Sequence, residues 1–113
     1  GVTFKANTDD MRDACSLKMI PSLSKKGAKI NYFDPTGLKK EFSKVKNVSY
    51  IDNIKDSIKG ADLIIIHTEW NDFKSINFKN LVKSKKFIIY DMRNIYSPMK
   101  IKNQGFKYYS IGR

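Results

Sequence analysis

What is scarce in this 113-residue chain limits what it can be. It has one cysteine, Cys15, so no internal disulfide is possible. That suits a reducing compartment, and a cytoplasmic location is expected. The longest apolar run, Leu63 to Ile66, is far too short to span a bilayer, so no membrane partner is expected. The start, Gly1-Val2-Thr3-Phe4, has neither the charged beginning nor the long apolar stretch of a signal peptide, and it has no Met. The chain therefore reads as a fragment of something longer. Histidine is also scarce. His67 is the only one, with no second His and no Cys nearby, which argues against a metal site. No Pro/Gly-rich linker and no internal repeat interrupts the chain, so residues 1–113 read as one domain.

What is present is lysine. The chain carries 22 Lys+Arg against 11 Asp+Glu, a formal net charge of +11. A field of that sign attracts polyanions such as nucleic acid, acidic lipid or phosphorylated metabolites. The lysines are scattered (Lys25-Lys26, Lys39-Lys40, Lys44, Lys46, Lys83, Lys85-Lys86) and form no aromatic-interleaved stripe. Nucleic-acid binding is accordingly disfavoured.

Hydrophobic residues make up 41% of the chain, enough for a folded core. Their spacing predicts alternating strands and helices. Thr8-Asp9-Asp10 has the composition of a helix start. Ala14, Leu17, Ile20 and Leu23 recur on one face, and Gly27 is a stop signal. Pro21 conflicts with that helix and should kink it. Strands are expected at Ala28–Phe33, Val48–Ile51, Asp62–His67, Lys86–Tyr90 and Phe106–Ser110, with Val2-Thr3-Phe4 as the truncated tail of a first one. Short helices are expected at Gly37–Ser43, Asp52–Lys59, Phe78–Val82 and Tyr96–Asn103. The Leu-Ile-Ile-Ile run at 63–66 has the continuous apolar character of a parallel strand buried on both faces. The expected fold is α/β, a Rossmann-like three-layer domain with a mostly parallel sheet of about six strands.

In such sheets ligands bind beyond the carboxyl ends of the strands. That rule selects Phe4, Lys5 and Asn7, then Asp34, then His67 to Trp70, then Asp91, Arg93 and Asn94. Lys5 and Arg93 place two cations on this edge, where a diphosphate is a natural guest. Other readings stand beside these. By sequence alone Phe4 is better placed as core, and Asp34 before Pro35 as a turn cap. Arg12 could pair with Asp9 or Asp13, and Arg93 with Asp91 or Glu69. Cys15 reads as a packed thiol and Trp70 as packing. The first turn has a single glycine, and Asp9 and Asp10 guard the expected helix start. NAD should therefore not bind here in the standard manner.

The segment Phe4-Lys5-Ala6-Asn7-Thr8-Asp9-Asp10-Met11-Arg12 resembles the Phe-Lys-x-x-Thr-Asp-Asp-x-Arg motif of the UDP-glucose/GDP-mannose dehydrogenase family. Further blocks agree in order: Gly27-Ala28-Lys29, Tyr32-Phe33-Asp34-Pro35, Gly60-Ala61-Asp62, Thr68-Glu69-Trp70-Asn71-Asp72-Phe73, Asp91-Met92-Arg93-Asn94-Ile95-Tyr96, Gly105-Phe106 and Tyr109-Ser110-Ile111-Gly112-Arg113. The Thr-Glu-Trp and Arg-Asn-Ile-Tyr blocks are similar to the UDP-glucose branch in its bacterial members.

The resemblance implies a C-terminal, UDP-sugar-binding domain. In that family the enzyme oxidises UDP-glucose to UDP-glucuronate with two NAD, through a cysteine thiolate. It implies that Phe4, Lys5 and Arg93 contact the substrate and that Arg12 reaches towards NAD, which the N-terminal domain binds. The expected partners are UDP-glucose and the rest of the same enzyme, its N-terminal NAD domain and central helix, in a homodimer. The family's Gly-Gly-Ser-Cys-Phe-Pro-Lys-Asp block is not in these residues and Cys15 does not match it. No catalytic residue is therefore expected within this chain, which alone should be inactive.

Overall fold

The structure, a computed structural model, describes residues 1–81 and 87–111. Within them the α/β expectation is met by two parallel sheets with short helices. In order the elements are α1 (Ser16–Lys25), β1 (Ile30–Tyr32), a 3-10 turn (Lys40–Phe42), β2 (Val48–Tyr50), α2 (Ile54–Ile58), β3 (Leu63–Ile66), α3 (Asn71–Lys74), α4 (Phe78–Leu81), β4 (Ile88–Asp91), α5 (Pro98–Asn103) and β5 (Lys107–Ser110). One sheet pairs β1 with β2; the other has the order β3-β4-β5. The expected ends of one helix at Val82 and of one strand at Lys86, and the closing Gly112-Arg113, lie outside the described residues.

Two expectations are corrected at the start of the chain. Val2-Thr3-Phe4 is not a strand, and the described sheets contain five strands rather than about six. Its backbone groups bond to side chains instead of a ladder. The Asp34 carboxylate accepts from Val2 N (2.8 Å) and Thr3 N (3.3 Å), and Ser16 Oγ donates to the Val2 carbonyl. Between β1 and β3, where a further strand would pair, lies a cleft of about 640 Å³, its lining including Gly1, Val2, Ile20, Tyr32, Ile64 and Ile66. The chain enters this region tightly. A Cβ at Gly1 would overlap Thr68 Oγ1 and come within 2.6 Å of the Phe73 ring.

The first helix starts at Ser16, not at Thr8. Asn7 (φ 62°) and Asp13 (φ 59°) are left-handed, which no right-handed helix accommodates. Thr8 and Asp10 spend their side chains on local turns, accepting from Asp10 N (3.1 Å) and Arg12 N (2.9 Å). This is the competition with helix that such residues offer. Asp9 and Asp10 therefore guard no helix end. The stop is as expected. Gly27 takes φ 96°, Gly27 N donates to Ser24 O, and Ala28 N donates to Leu23 O. That is the paired reverse bonding of a Schellman end. Pro21 lies inside α1 without ending it.

Two cores follow from the two sheets. Tyr32 packs with Val2, Met11, Ala14, Ile20 and Phe42 against α1. The larger core covers one face of β3-β4-β5 with Phe73 of α3, Phe78 of α4 and Ile101 of α5. Within it the Phe87 and Phe106 rings lie tilted at 37° with centroids 4.6 Å apart, and Phe78 meets Tyr96 edge-on at 5.5 Å. Consecutive parallel pairing of β3, β4 and β5 requires crossovers of one hand, which sends α3, α4 and α5 to the same face.

Candidate functional site

The carboxyl ends of β3 and β4 and the bend after Thr3 meet at one side chain, Arg93. It follows β4 by two positions. Its Nε donates to the His67 carbonyl (2.7 Å), and its Nη2 donates to the Phe4 carbonyl (2.8 Å). Glu69 faces the same guanidinium at 3.5 Å and accepts from Ala6 N at 3.3 Å. Of the pairings open in the sequence, Arg93 takes Glu69, while Asp91 receives only its backbone N–H (3.0 Å).

Buried carboxylates hold the loops that carry these groups. Asp91, at the end of β4, is fully buried. It accepts from Ile95 N (2.9 Å), Tyr96 N (3.0 Å) and Tyr108 Oη (2.7 Å) in addition to Arg93 N. Asp34, at the end of β1, caps its turn as read from the sequence, accepting from Thr36 N at 2.9 Å, and also fastens Val2 and Thr3. Burial by itself would raise the Asp34 carboxyl, but bonds from Thr36 and Val2 prevail and hold it below the ordinary range. The dual role of each Asp was missed in the sequence. Its signal, an acid closing a strand just before a turn, is the same one that marks an ordinary cap.

Phe4 is not core; it is 38% exposed on the rim. Lys5, beside it, is exposed, and its charge helps to lower the Asp10 carboxyl. Arg12 stands apart from Arg93. Its side chain is 88% exposed and forks onto Asp10 (Nε–Oδ1 3.1 Å, Nη2–Oδ2 2.9 Å), not onto Asp9 or Asp13. The Arg12 bonds hold the Asp10 carboxyl down to about 2. Trp70 is buried and donates to Thr3 Oγ1 (3.3 Å), so it packs as expected. Cys15 departs from expectation. It sits exposed at the N-cap of α1 rather than packed.

His67 ends β3 in the interior. Burial first, and Arg93 after it, push its imidazole down to about 4, so it is neutral near neutral pH. Its Nδ1 and the hydroxyl of Thr68 have no hydrogen-bond partner among the described residues. Among the described residues no cluster of His, Cys, Asp and Glu could hold a metal ion, and no helix is long and apolar enough to cross a membrane.

The arrangement offers one fixed guanidinium, one exposed ammonium and a half-exposed aromatic ring on a strand-end rim. This is chemistry for holding a phosphorylated ligand with a planar or sugar portion. The bend has one glycine, and the helix that follows begins only at Ser16, behind Cys15.

Comparison with known proteins places the chain in a family. Residues 1–98 match the UDP-glucose/GDP-mannose dehydrogenase family, UDP binding domain. The chain is 37% identical to a UDP-glucose 6-dehydrogenase of Rickettsia felis over 99% of its own length and 26% of that protein. It is 34% identical to that of Bacillus subtilis over 100% of its length and 26% of the relative. Among solved structures, an NDP-N-acetyl-D-galactosaminuronic acid dehydrogenase from Methanosarcina mazei superposes with a TM-score of 0.84 at 25% identity, covering 100% of this chain and 23% of that one. A UDP-D-ManNAc dehydrogenase from Pyrococcus horikoshii gives 0.76 at 29% identity, covering 100% and 24%. The chain thus spans about a quarter of these relatives, 26% of the curated ones.

Proposed function

The chain belongs to the UDP-glucose/GDP-mannose dehydrogenase family as a UDP-binding domain, and from that premise we propose that residues 1–113 hold the substrate in a longer, NAD-dependent UDP-glucose 6-dehydrogenase. The whole enzyme oxidises UDP-glucose to UDP-glucuronate with two NAD, in the cytoplasm and as a homodimer. The observation that supports this most is the convergence on Arg93, whose guanidinium ties the Phe4 bend to the end of β3. It fixes a cation where strand-end ligands bind.

In this reading Lys5 and Arg93 offset the diphosphate charge. Arg93 presents a rigid fork and Lys5 a mobile point charge. Phe4 lies against the uridine or sugar portion. Arg12 leans outward from the bend, positioned for NAD held on another part of the enzyme. NAD supplies the oxidising power when bound there, and the residues of this chain bind and orient only. Cys15, exposed at a helix start with no His or acid pairing, takes no part in the chemistry.

Calorimetric titration of the full-length enzyme with UDP tests the assignment. Binding that is lost in Arg93→Ala but kept in Arg12→Ala is the expected result. Unaltered UDP binding in a Lys5→Ala/Arg93→Ala double variant refutes it. The 113-residue chain alone should yield no NADH from UDP-glucose and NAD.

A further inference from the structure

The bend at Phe4-Lys5-Ala6 belongs to no strand or helix, yet its backbone is fastened group by group. Phe4 N donates to the Asp10 carbonyl (2.8 Å). The Phe4 carbonyl accepts from Arg93 Nη2 (2.8 Å). The Lys5 carbonyl accepts from Thr3 Oγ1 (3.0 Å), and Ala6 N donates to Glu69 Oε1 (3.3 Å), 63 positions away. These last two bonds grip one planar unit at both ends, the C=O and the N–H of the Lys5–Ala6 peptide. With the Phe4 carbonyl held as well, the peptide planes on both sides of the Lys5 Cα are fixed. Two fixed planes leave little freedom in φ and ψ of Lys5, so they set the direction in which its side chain leaves the backbone.

The side chains of the bend are left free by comparison. Phe4 is 38% exposed, and Lys5 is exposed. Among the described residues no salt bridge holds the Lys5 ammonium, so its aim is set from the backbone end. A backbone on an open rim satisfies its polar groups with water and has no general need of side chains from other elements. Thr3 is the most committed of those that reach this one, since it is 2% exposed. A carbonyl only accepts, so the Thr3 proton goes to Lys5. The indole N–H of buried Trp70 only donates, so it takes a lone pair of the same hydroxyl (3.3 Å). Trp70 thereby turns the hydroxyl, and the hydroxyl holds Lys5.

We propose that Thr3 is a positioning residue for the substrate: its buried hydroxyl, turned by Trp70 and matched by Glu69 at the other end of the same peptide, aims Lys5 at the diphosphate beside Arg93. This inference rests on the assignment of Lys5 and Arg93 to that ligand.

A double-mutant cycle in the full-length enzyme tests it, with KM for UDP-glucose and for NAD measured separately. Thr3→Val keeps the shape of the side chain and removes the hydroxyl. It should raise KM for UDP-glucose about fivefold and change kcat and KM for NAD by less than about twofold. Thr3→Ser keeps the hydroxyl and should bring KM for UDP-glucose back to within about twofold of wild type. In a Lys5→Ala background Thr3→Val should add nothing to that KM, because no ammonium is left to aim. A merely structural hydroxyl would lower the melting temperature and act equally in both backgrounds. Where Thr3→Val yields too little folded enzyme, Trp70→Phe takes its place in the cycle, removing the N–H that turns the hydroxyl. If Lys5→Ala alone raises KM for UDP-glucose, an unchanged KM in Thr3→Val, or a rise of equal size with and without Lys5, overturns the proposal and leaves the diphosphate assignment standing. A Lys5→Ala enzyme with the wild-type KM overturns the assignment of Lys5, and the proposal with it.

Discussion

Arg93 donates through Nη2 to the carbonyl of Phe4 across 2.8 Å, joining residues 89 positions apart. Its Nε is spent on the His67 carbonyl, so the same guanidinium is both a structural tie and the proposed diphosphate cation. Arg93→Lys keeps the charge and loses the fork. In the full-length enzyme it should raise KM for UDP-glucose about tenfold, roughly 1.4 kcal/mol of binding. Arg93→Ala should raise it further and destabilise the domain by about 1–3 kcal/mol, as two carbonyls lose a donor. Steady-state kinetics and urea melts separate the two effects. A normal KM with only a lowered midpoint would show that the tie is structural alone.

Lys5 and Arg12 are both exposed and flank the same bend, yet they should serve different ligands. Arg12 is turned onto Asp10 and away from Arg93. Lys5→Ala is expected to raise KM for UDP-glucose more than that for NAD, and Arg12→Ala to do the reverse. Neither should shift the melting temperature appreciably, since exposed ion pairs contribute about 0–1 kcal/mol. Equal effects on both Michaelis constants from either variant contradict the division of labour.

Asp91 gathers Arg93 N, Ile95 N, Tyr96 N and the Tyr108 hydroxyl onto one fully buried carboxylate. Truncation removes this shared acceptor, each lost bond costing about 1–3 kcal/mol though not additively. Asp91→Ala should therefore cost on the order of 3–5 kcal/mol. Tyr108→Phe, which removes one donor and keeps the carboxylate, should cost about 1 kcal/mol. Denaturant titration of both variants checks the ordering. An Asp91→Ala chain as stable as wild type would mean the loop holds itself.

How far the sequence showed these features depended on the range of the interaction behind each. The Leu-Ile-Ile-Ile strand, the Gly27 stop and the Asp34 turn are local signals, and each stands where expected, but the strand is not buried on both faces: Ile64 and Ile66 are buried while Leu63 is 44% exposed and Ile65 half-buried. The helix start at Thr8 did not hold. Thr8-Asp9-Asp10 has helix-cap composition, but the left-handed Asn7 and Asp13 and the turns around Asp10 take the same side chains. The strand at Val2 did not hold either, because its partner groups are side chains from Asp34 and Ser16. The strand-end rule brought Phe4, His67, Glu69 and Arg93 onto one list. It could not show that Arg93 clasps the backbone of two of them, since a contact across 89 positions leaves no spacing to read.

The interior His67 makes stability depend on pH in a defined direction. Its folded value is near 4 against 6.5 in the open chain, depressed first by burial and further by Arg93. Below 6.5 the unfolded chain takes up a proton that the folded chain refuses. Stability is therefore complete above about 6.5 and declines as pH falls towards 4, by on the order of 2–3 kcal/mol from this group. His67→Phe fills a similar volume, carries no proton and removes the unpartnered Nδ1. It should flatten the slope between pH 6.5 and 4. Chemical denaturation at half-unit steps of pH measures both curves. Identical slopes in wild type and variant would show that His67 is charged, or open to solvent, in the native state.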